Sequence, residues 1–273
     1  MKNIVFKFIG IVIASACCMP VHAQNAPKPT KQDSTLILPK PIPAVVVPVV
    51  QKFSIKNPVI ISKLEDSLKK QFDKQKLTWP PQAMYLRSFK YEKELEVWVQ
   101  TSKEGYKLLK TYKVCQQSGT MGPKRAEGDY QVPEGFYYIN EFNANSHFHL
   151  ALGLNYPNAS DRILADQNNP GSLIYIHGNC VSTGCIPITD GPIEELYHLA
   201  SMVNVAGQEF IPVHVFPIKY NVKKSAEFLE TLTKENEALK AFNKNIKLVY
   251  DFFEIKKELP IIMVNTKGEY VLN

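Results

Sequence analysis

Hydrophobic and polar positions divide the chain into strand-like and helix-like stretches. Leu95-Glu96-Val97-Trp98-Val99 alternates at period two, as does Tyr106 to Val114 in part, and Ser102-Lys103-Glu104-Gly105 between them predicts a hairpin turn. Phe136 to Ile139, His147 to Leu154 and Leu173 to Ile176 predict further strands, the last one buried. Helical period appears first at Leu64, Leu68 and Phe72, where Ser62-Lys63-Leu64-Glu65 has capping-box spacing and Trp79-Pro80-Pro81 ends the run. It returns at Ile193, Leu196, Tyr197, Ala200 and Val203. Asp190 is the expected cap of that helix, Pro192 suits its first turn, Glu194 and Glu195 favour its dipole, and Gly207 stops it. Glu209 to Phe216 reads as a strand. Phe228, Leu229, Leu232, Leu239, Phe242 and Ile246 predict helix over 223–258, closed by Pro260. Asn265-Thr266-Lys267-Gly268 then turns a terminal hairpin. Without repeats and without βαβ alternation, the expected class is α+β: a β-rich domain with long loops, peripheral helices and a C-terminal helical extension.

The N-terminal pattern differs. Lys2 and Lys7 precede a short apolar core, Ile9 to Ala16, and Val21-His22-Ala23 fits a signal-peptidase site, so residues 1–23 are expected to be an export signal. Lipoprotein processing at Cys17 or Cys18 is the alternative, although Ala14 stands where a larger aliphatic residue is usual. Residues 24–60 carry Pro27, Pro29, Pro39, Pro41, Pro43, Pro48 and Pro58 and read as a Pro-rich tether. The remaining divisions are an N-terminal helix over 61–80, a β-rich domain over 81–218, and a helical extension with the hairpin over 219–273. Losing Lys2 and Lys7 lowers the formal charge from +6 to +4. That suits an acidic polymer and excludes a nucleic-acid footprint. Cys115, Cys180 and Cys185 remain, too few for a disulfide framework, and their odd number leaves at least one thiol free in an oxidising compartment.

Candidate chemistry concentrates in Ile176-His177-Gly178-Asn179-Cys180-Val181-Ser182-Thr183-Gly184-Cys185-Ile186-Pro187. A cysteine nucleophile needs a base, a group orienting that base, and N–H donors for an oxyanion. Here Cys185 is the candidate nucleophile and His177, ending a strand, the base. A carbonyl near Gly178 would fix the imidazole tautomer. Gly184 permits a sharp turn, the Gly184 and Cys185 amides are candidate oxyanion donors, and Ser182 would set the loop's shape. Structural readings stand beside these. His177 also reads as a satisfied strand-end residue, and Cys115 as a small buried hydrophobe. Cys180 and Cys185 have spacing for a disulfide that would switch such an enzyme off. Together with His147, His149 and His177 they also make a weak zinc set, though no CxxC or HxxxH is present.

His177-Gly178 followed by Ser182-x-Gly184-Cys185 resembles the catalytic motif of the YkuD-type L,D-transpeptidases, most nearly the YafK-like branch, in which a second cysteine sits inside a short His-to-Cys interval. The resemblance extends through Gly122-Pro123-Lys124-Arg125, Glu127-Gly128-Asp129 and Pro133-Glu134-Gly135-Phe136-Tyr137. It continues through Asn155-Tyr156-Pro157-Asn158-Ala159-x-Asp161-Arg162, and through Tyr250-Asp251-Phe252-Phe253-Glu254 to the terminal hairpin, covering roughly 84–273. It implies a β-rich L,D-transpeptidase (YkuD-like) catalytic domain that takes peptidoglycan stem peptides as partner and substrate. Cys185 would be acylated at the L-centre of the third residue, usually diaminopimelate, then deacylated by an amine or by water. No cofactor, metal or nucleic acid is implied. Thr183 and Pro187 depart from the histidine and the polar residue many members carry, so the acceptor stays open. Hydrolysis of the link between peptidoglycan and an outer-membrane lipoprotein, L,D-carboxypeptidase activity and non-catalytic wall binding are the alternatives. The expected location is the periplasm or cell envelope.

Position suggests further substrate-binding candidates. Arg162 would take a carboxylate, unless it pairs with Asp161 inside the loop. Tyr156 lies in the same polar segment. His149 would line the cleft or stand as a surface strand residue, and Asp129 and Glu134 read as loop-fixing residues. A catalytic Cys185 is expected to alkylate near neutral pH, well below the ~8.5 of a free thiol.

Overall fold

The computed structural model describes residues 58–100 and 105–273, so the expected signal, most of the tether and the 102–105 turn fall mainly outside the described residues. The described part belongs to one compact unit, Val47–Asn273. In chain order the elements are α1 (Pro58–Lys74), β1 (Ala83–Phe89), β2 (Glu94–Gln100), β3 (Tyr106–Lys113), β4 (Gly135–Asn143) and β5 (Ala151–Leu154). Then follow α2 (Ala159–Leu164), β6 (Tyr175–His177), β7 (Ile186–Pro187), α3 (Asp190–Val205), β8 (Ile211–Phe216), α4 (Lys223–Thr233), α5 (Glu237–Lys256), β9 (Ile262–Val264) and β10 (Tyr270–Leu272). Among the described residues no helix is long and apolar enough to cross a membrane.

Strands β1 to β8 form one sheet in the order β3-β2-β1-β8-β4-β5-β6-β7, and β9 and β10 form a separate hairpin. Most neighbours are antiparallel, but β1–β8 and β6–β7 run parallel. Alternation sends Leu86, Val213, Leu152, Ile176 and Ile186 to one face, where Leu68 and Phe72 of α1 and Leu196, Leu199 and Val203 of α3 complete the core. The opposite face is covered over β1, β2 and β8 by α5, whose Ile246, Tyr250 and Phe253 meet Tyr85, Phe89, Trp98 and Phe216. Past β4 that face is not covered by α5's core contacts, and it carries His177 and Cys185.

The structure departs from the expected elements in several places, among them the 173–176 strand, which is Tyr175–His177, and the Ser62 capping box, which lies inside α1. The 147–154 strand starts only at Ala151, because His149 has φ of 75° and turns the chain. The 223–258 helix is two helices, since the Asn236 side chain accepts from the Leu239 amide at 2.9 Å and caps a new start. Helix α1 begins at Pro58, three residues before the expected boundary. Asp190 is not a cap but the first residue of α3, and its carboxylate instead accepts from the Asn179 amide at 2.7 Å.

Candidate active site

Parallel register places Ile176 opposite Ile186 and His177 opposite Pro187. One residue back, Cys185 stands opposite Tyr175. Because side chains alternate, Tyr175, His177, Cys185 and Pro187 share the face opposite the core. His177 and Cys185 are therefore diagonal neighbours on one face of two adjacent parallel strands. Two short neighbouring strands thus put the thiol and the imidazole that the motif singles out on one face of the sheet.

The imidazole is 1% exposed. Its Nδ1 lies 2.6 Å from the Gly178 carbonyl, which can only accept, so Nδ1 carries the proton and Nε2 keeps its lone pair. The ring of Phe148 packs on it at 4.7 Å. Burial lowers the His177 pKa, and the Gly178 carbonyl opposes that shift. Gly178 has no room for a side chain: a Cβ would come within 2.6 Å of the Asp190 carboxylate and 2.7 Å of the Phe148 carbonyl. Cys185 is a free, half-buried thiol with Sγ 3.7 Å from the Leu173 carbonyl. Burial pushes its pKa up, while the Tyr175 backbone amide and the Lys124 ammonium pull the other way without prevailing. That direction is opposite to the one expected of a thiol ionising well below the free value.

The loop between the two residues is held from several sides. Ser182 Oγ donates to the Cys185 carbonyl at 2.7 Å, lies 3.2 Å from Ser118 Oγ, and accepts the Gly184 amide at 3.2 Å. That contact engages one of the two candidate oxyanion donors and leaves the Cys185 amide as the other. Gly184 has φ of 136°, and a Cβ there would come 3.1 Å from the Gln131 carbonyl, so glycine answers both the backbone and the space. Cys115 and Cys180 form a disulfide 65 residues apart with Cα atoms 5.8 Å apart. This overturns the readings of Cys115 as a lone buried hydrophobe and of a Cys180–Cys185 pair, and it removes Cys180 from the zinc set. Among the described residues no group of three or more His, Cys, Asp or Glu is placed to hold a metal.

The remaining candidates scatter. His149 is exposed, bonded through Nε2 to Glu194 of α3 at 2.7 Å, and its Cβ is beside Gly178, at the imidazole end of the site. Tyr156 is buried, with its hydroxyl donating to the Pro170 carbonyl at 2.8 Å. Arg162 is exposed on α2, and Asp161 pairs not with it but with Arg125 at 3.3 Å and the Tyr137 hydroxyl at 3.0 Å. Asp129 does fix its loop, accepting three backbone amides and the Lys124 ammonium. Glu134 likewise accepts the Gly122 amide and pairs with buried Lys90 at 3.0 Å. Lys124 and Phe148 were missed as site residues. Lys124 lay inside the Gly122-Pro123-Lys124-Arg125 segment, and Phe148 next to His149, but only tertiary contact reveals their roles.

Fold and site together define a β-sheet protein with a free thiol and a tautomer-fixed imidazole on one face of two adjacent strands. The model of the L,D-transpeptidase catalytic domain, YkuD, matches residues 93–215. YafK of Escherichia coli strain K12, provisionally named an L,D-transpeptidase, is 33% identical over 205 residues, covering 73% of this chain and 77% of that protein. The chain belongs to the L,D-transpeptidase family, which makes it a peptidoglycan-related enzyme at the level of the family. Among solved structures, the helical cell shape determining protein Pgp2 of Campylobacter jejuni aligns at a TM-score of 0.40 and 18% identity, over 74% of this chain and 80% of that one. Bd1075 of Bdellovibrio bacteriovorus aligns at 0.37 and 21% identity, over 66% and 62%.

Proposed function

We propose that the protein is an exported peptidoglycan-modifying cysteine enzyme, acylated at Cys185 by a stem peptide at the L-centre of diaminopimelate. The observation that carries this reading is the free Cys185 thiol on the same sheet face as an imidazole whose Gly178 contact leaves Nε2 able to accept a proton. As Sγ attacks the carbonyl, Nε2 takes the thiol proton. The amide C–N bond then breaks and the departing amine takes that proton. An amine or water attacks the thioester next, and the thiol is regenerated. The Cys185 amide is the candidate backbone donor to a developing oxyanion. The Cys115–Cys180 disulfide supports export, since such bonds persist in oxidising compartments. Transfer to an amine, hydrolysis of stem peptides or of a lipoprotein link, and wall binding without chemistry remain distinguishable by product. Muropeptides incubated with the protein and resolved by mass spectrometry test the reading. Wild type yields cross-linked or trimmed products, Cys185→Ala yields none, and His177→Ala falls by on the order of 10²–10⁴-fold. Equal products from wild type and Cys185→Ala overturn it.

A further inference from the structure

One row of the sheet runs straight to the nucleophile. Glu141 of β4 is opposite Gly153 of β5, and Gly153 is opposite Tyr175 of β6. Continued one residue back from the Ile176–Ile186 pair, the β6–β7 register sets Cys185 opposite Tyr175. Glu141 reaches this face only because the β4–β5 register shifts between Ile139 and Glu141. Without that bulge at Asn140, Glu141 would follow Ile139 into the core, and re-aiming a side chain beside a site is what bulges do. Phe142, next along, accordingly packs on the core and against Tyr197.

The middle of the row is empty by construction. A Cβ on Gly153 would lie 2.9 Å from the Glu141 Cβ and 3.1 Å from the Tyr175 ring, so only glycine lets Tyr175 lean across β5. Its hydroxyl donates to Glu141 Oε2 at 2.9 Å. Both residues are half-buried. Among the described residues no Lys, Arg or His lies within ion-pair distance of the Glu141 carboxylate, although Arg87, Lys90, Lys110 and Lys124 are each paired. A carboxylate oriented by a phenol, without a cation, on the open face beside the nucleophile is built to receive one.

The geometry assigns Glu141, held in place by Tyr175 across Gly153, as the recognition site for a primary ammonium group on the acyl donor's side chain. The assignment rests on the proposed acylation of Cys185. Spacing selects the donor over the acceptor. Three strand spacings of roughly 4.8 Å separate the Glu141 and Cys185 backbones. An attacking amine must come within bonding distance of the thioester, which a group held at Glu141 does not. An ammonium several bonds removed from the scissile carbonyl, at the far end of a diamino-acid side chain, spans that gap.

The test compares two stem peptides identical except that the side-chain amine is free in one and N-acetylated in the other. The rate of Cys185 acylation is read by intact mass. Wild type is expected to prefer the free amine by roughly tenfold to a hundredfold, the worth of a charge-assisted hydrogen bond. Glu141→Gln, nearly isosteric, is expected to erase the preference, whereas Glu141→Asp retains part of it. Tyr175→Phe and Gly153→Ala weaken it by disturbing orientation. A merely structural role would slow both peptides alike and leave the preference intact. Equal wild-type rates with the two peptides, or a full preference in Glu141→Gln, overturn this assignment alone. No acyl-enzyme from either peptide overturns the proposed function as well.

Discussion

One face of the sheet is treated in two ways. Over β1, β2 and β8 it is sealed: Arg87 is buried between the rings of Trp98 and Phe253, each 4.8 Å from the guanidinium, and is paired with Glu96 and Glu254 at 2.7 and 2.6 Å. Tyr85, Phe89 and Phe216 fill the space beneath α5. Over β5 to β7 the same face carries Gly153, Tyr175, His177 and Cys185, with Phe148 and Leu173 left 40% and 70% exposed at its border. A substrate-sized molecule could not reach Cys185 if α5 extended its aromatic packing that far. The loop of the open half is therefore held without α5. It relies on the Ser182 hydrogen bonds, the Asp190 contact to Asn179 and the Cys115–Cys180 bond instead.

The sharpest way to break this comparison is to disturb the sealed half. Arg87→Met leaves Glu96 buried with Lys219 and the Trp98 indole as its remaining partners. Removing one member of a buried ion pair costs about 3–5 kcal/mol. Urea denaturation is expected to show that loss, with Cys185 alkylation in the native baseline changed less than about twofold, since no Arg87 contact reaches the thiol. A large change in alkylation would mean that the halves are mechanically coupled.

Next in size is the staple of the open half. Cys115→Ser with Cys180→Ser removes a cross-link closing a 65-residue interval, for which native bonds are typically worth about 2–4 kcal/mol. Unlike the Arg87 variant, this one is expected to slow acylation of Cys185 as well as lower stability, because Cys180 anchors the segment between His177 and Cys185. If acylation at a temperature where the variant is folded matches wild type, the bond is structural only.

How much of this was readable beforehand follows the distance over which each feature is encoded. His177, Gly178, Ser182, Gly184 and Cys185 lie within nine consecutive residues, so their chemistry was visible as a string. The strands around 95–99 and 211–216 and the amphipathic helix at 193–203 follow local period and were visible for the same reason. The disulfide was not, because Cys115 sits at the end of a strand pattern and nothing local marks a partner 65 residues away. Arg125 rather than Arg162 meets Asp161 because α2 turns Arg162 to solvent, a fact of packing. Glu141 was invisible for a subtler reason. One extra residue in β4 inverts its face, and alternation read from the sequence assumes that no residue is extra.

The smallest expected effect concerns protonation, and it asks whether the open half is open enough to ionise its thiol. In the free protein burial lowers the His177 pKa and raises that of Cys185. Between the ordinary imidazole value of ~6.5 and the free-thiol value of ~8.5, both groups are therefore neutral, and the proton moves only as Sγ attacks. Two limbs follow. Below the lowered His177 pKa the imidazole is protonated and cannot accept, so acylation falls about tenfold per pH unit on the acid side, starting below ~6.5. Alkylation by iodoacetamide needs the thiolate, so its rate climbs with pH and its midpoint lies above ~8.5. A thiolate–imidazolium pair formed in advance would behave oppositely, with alkylation fast and nearly flat down to pH 6. Stopped-flow alkylation from pH 5 to 10 separates the two. A flat profile would mean that the open half is more solvated than its packing implies and that the Lys124 charge and the Tyr175 amide, rather than burial, set the state of the thiol.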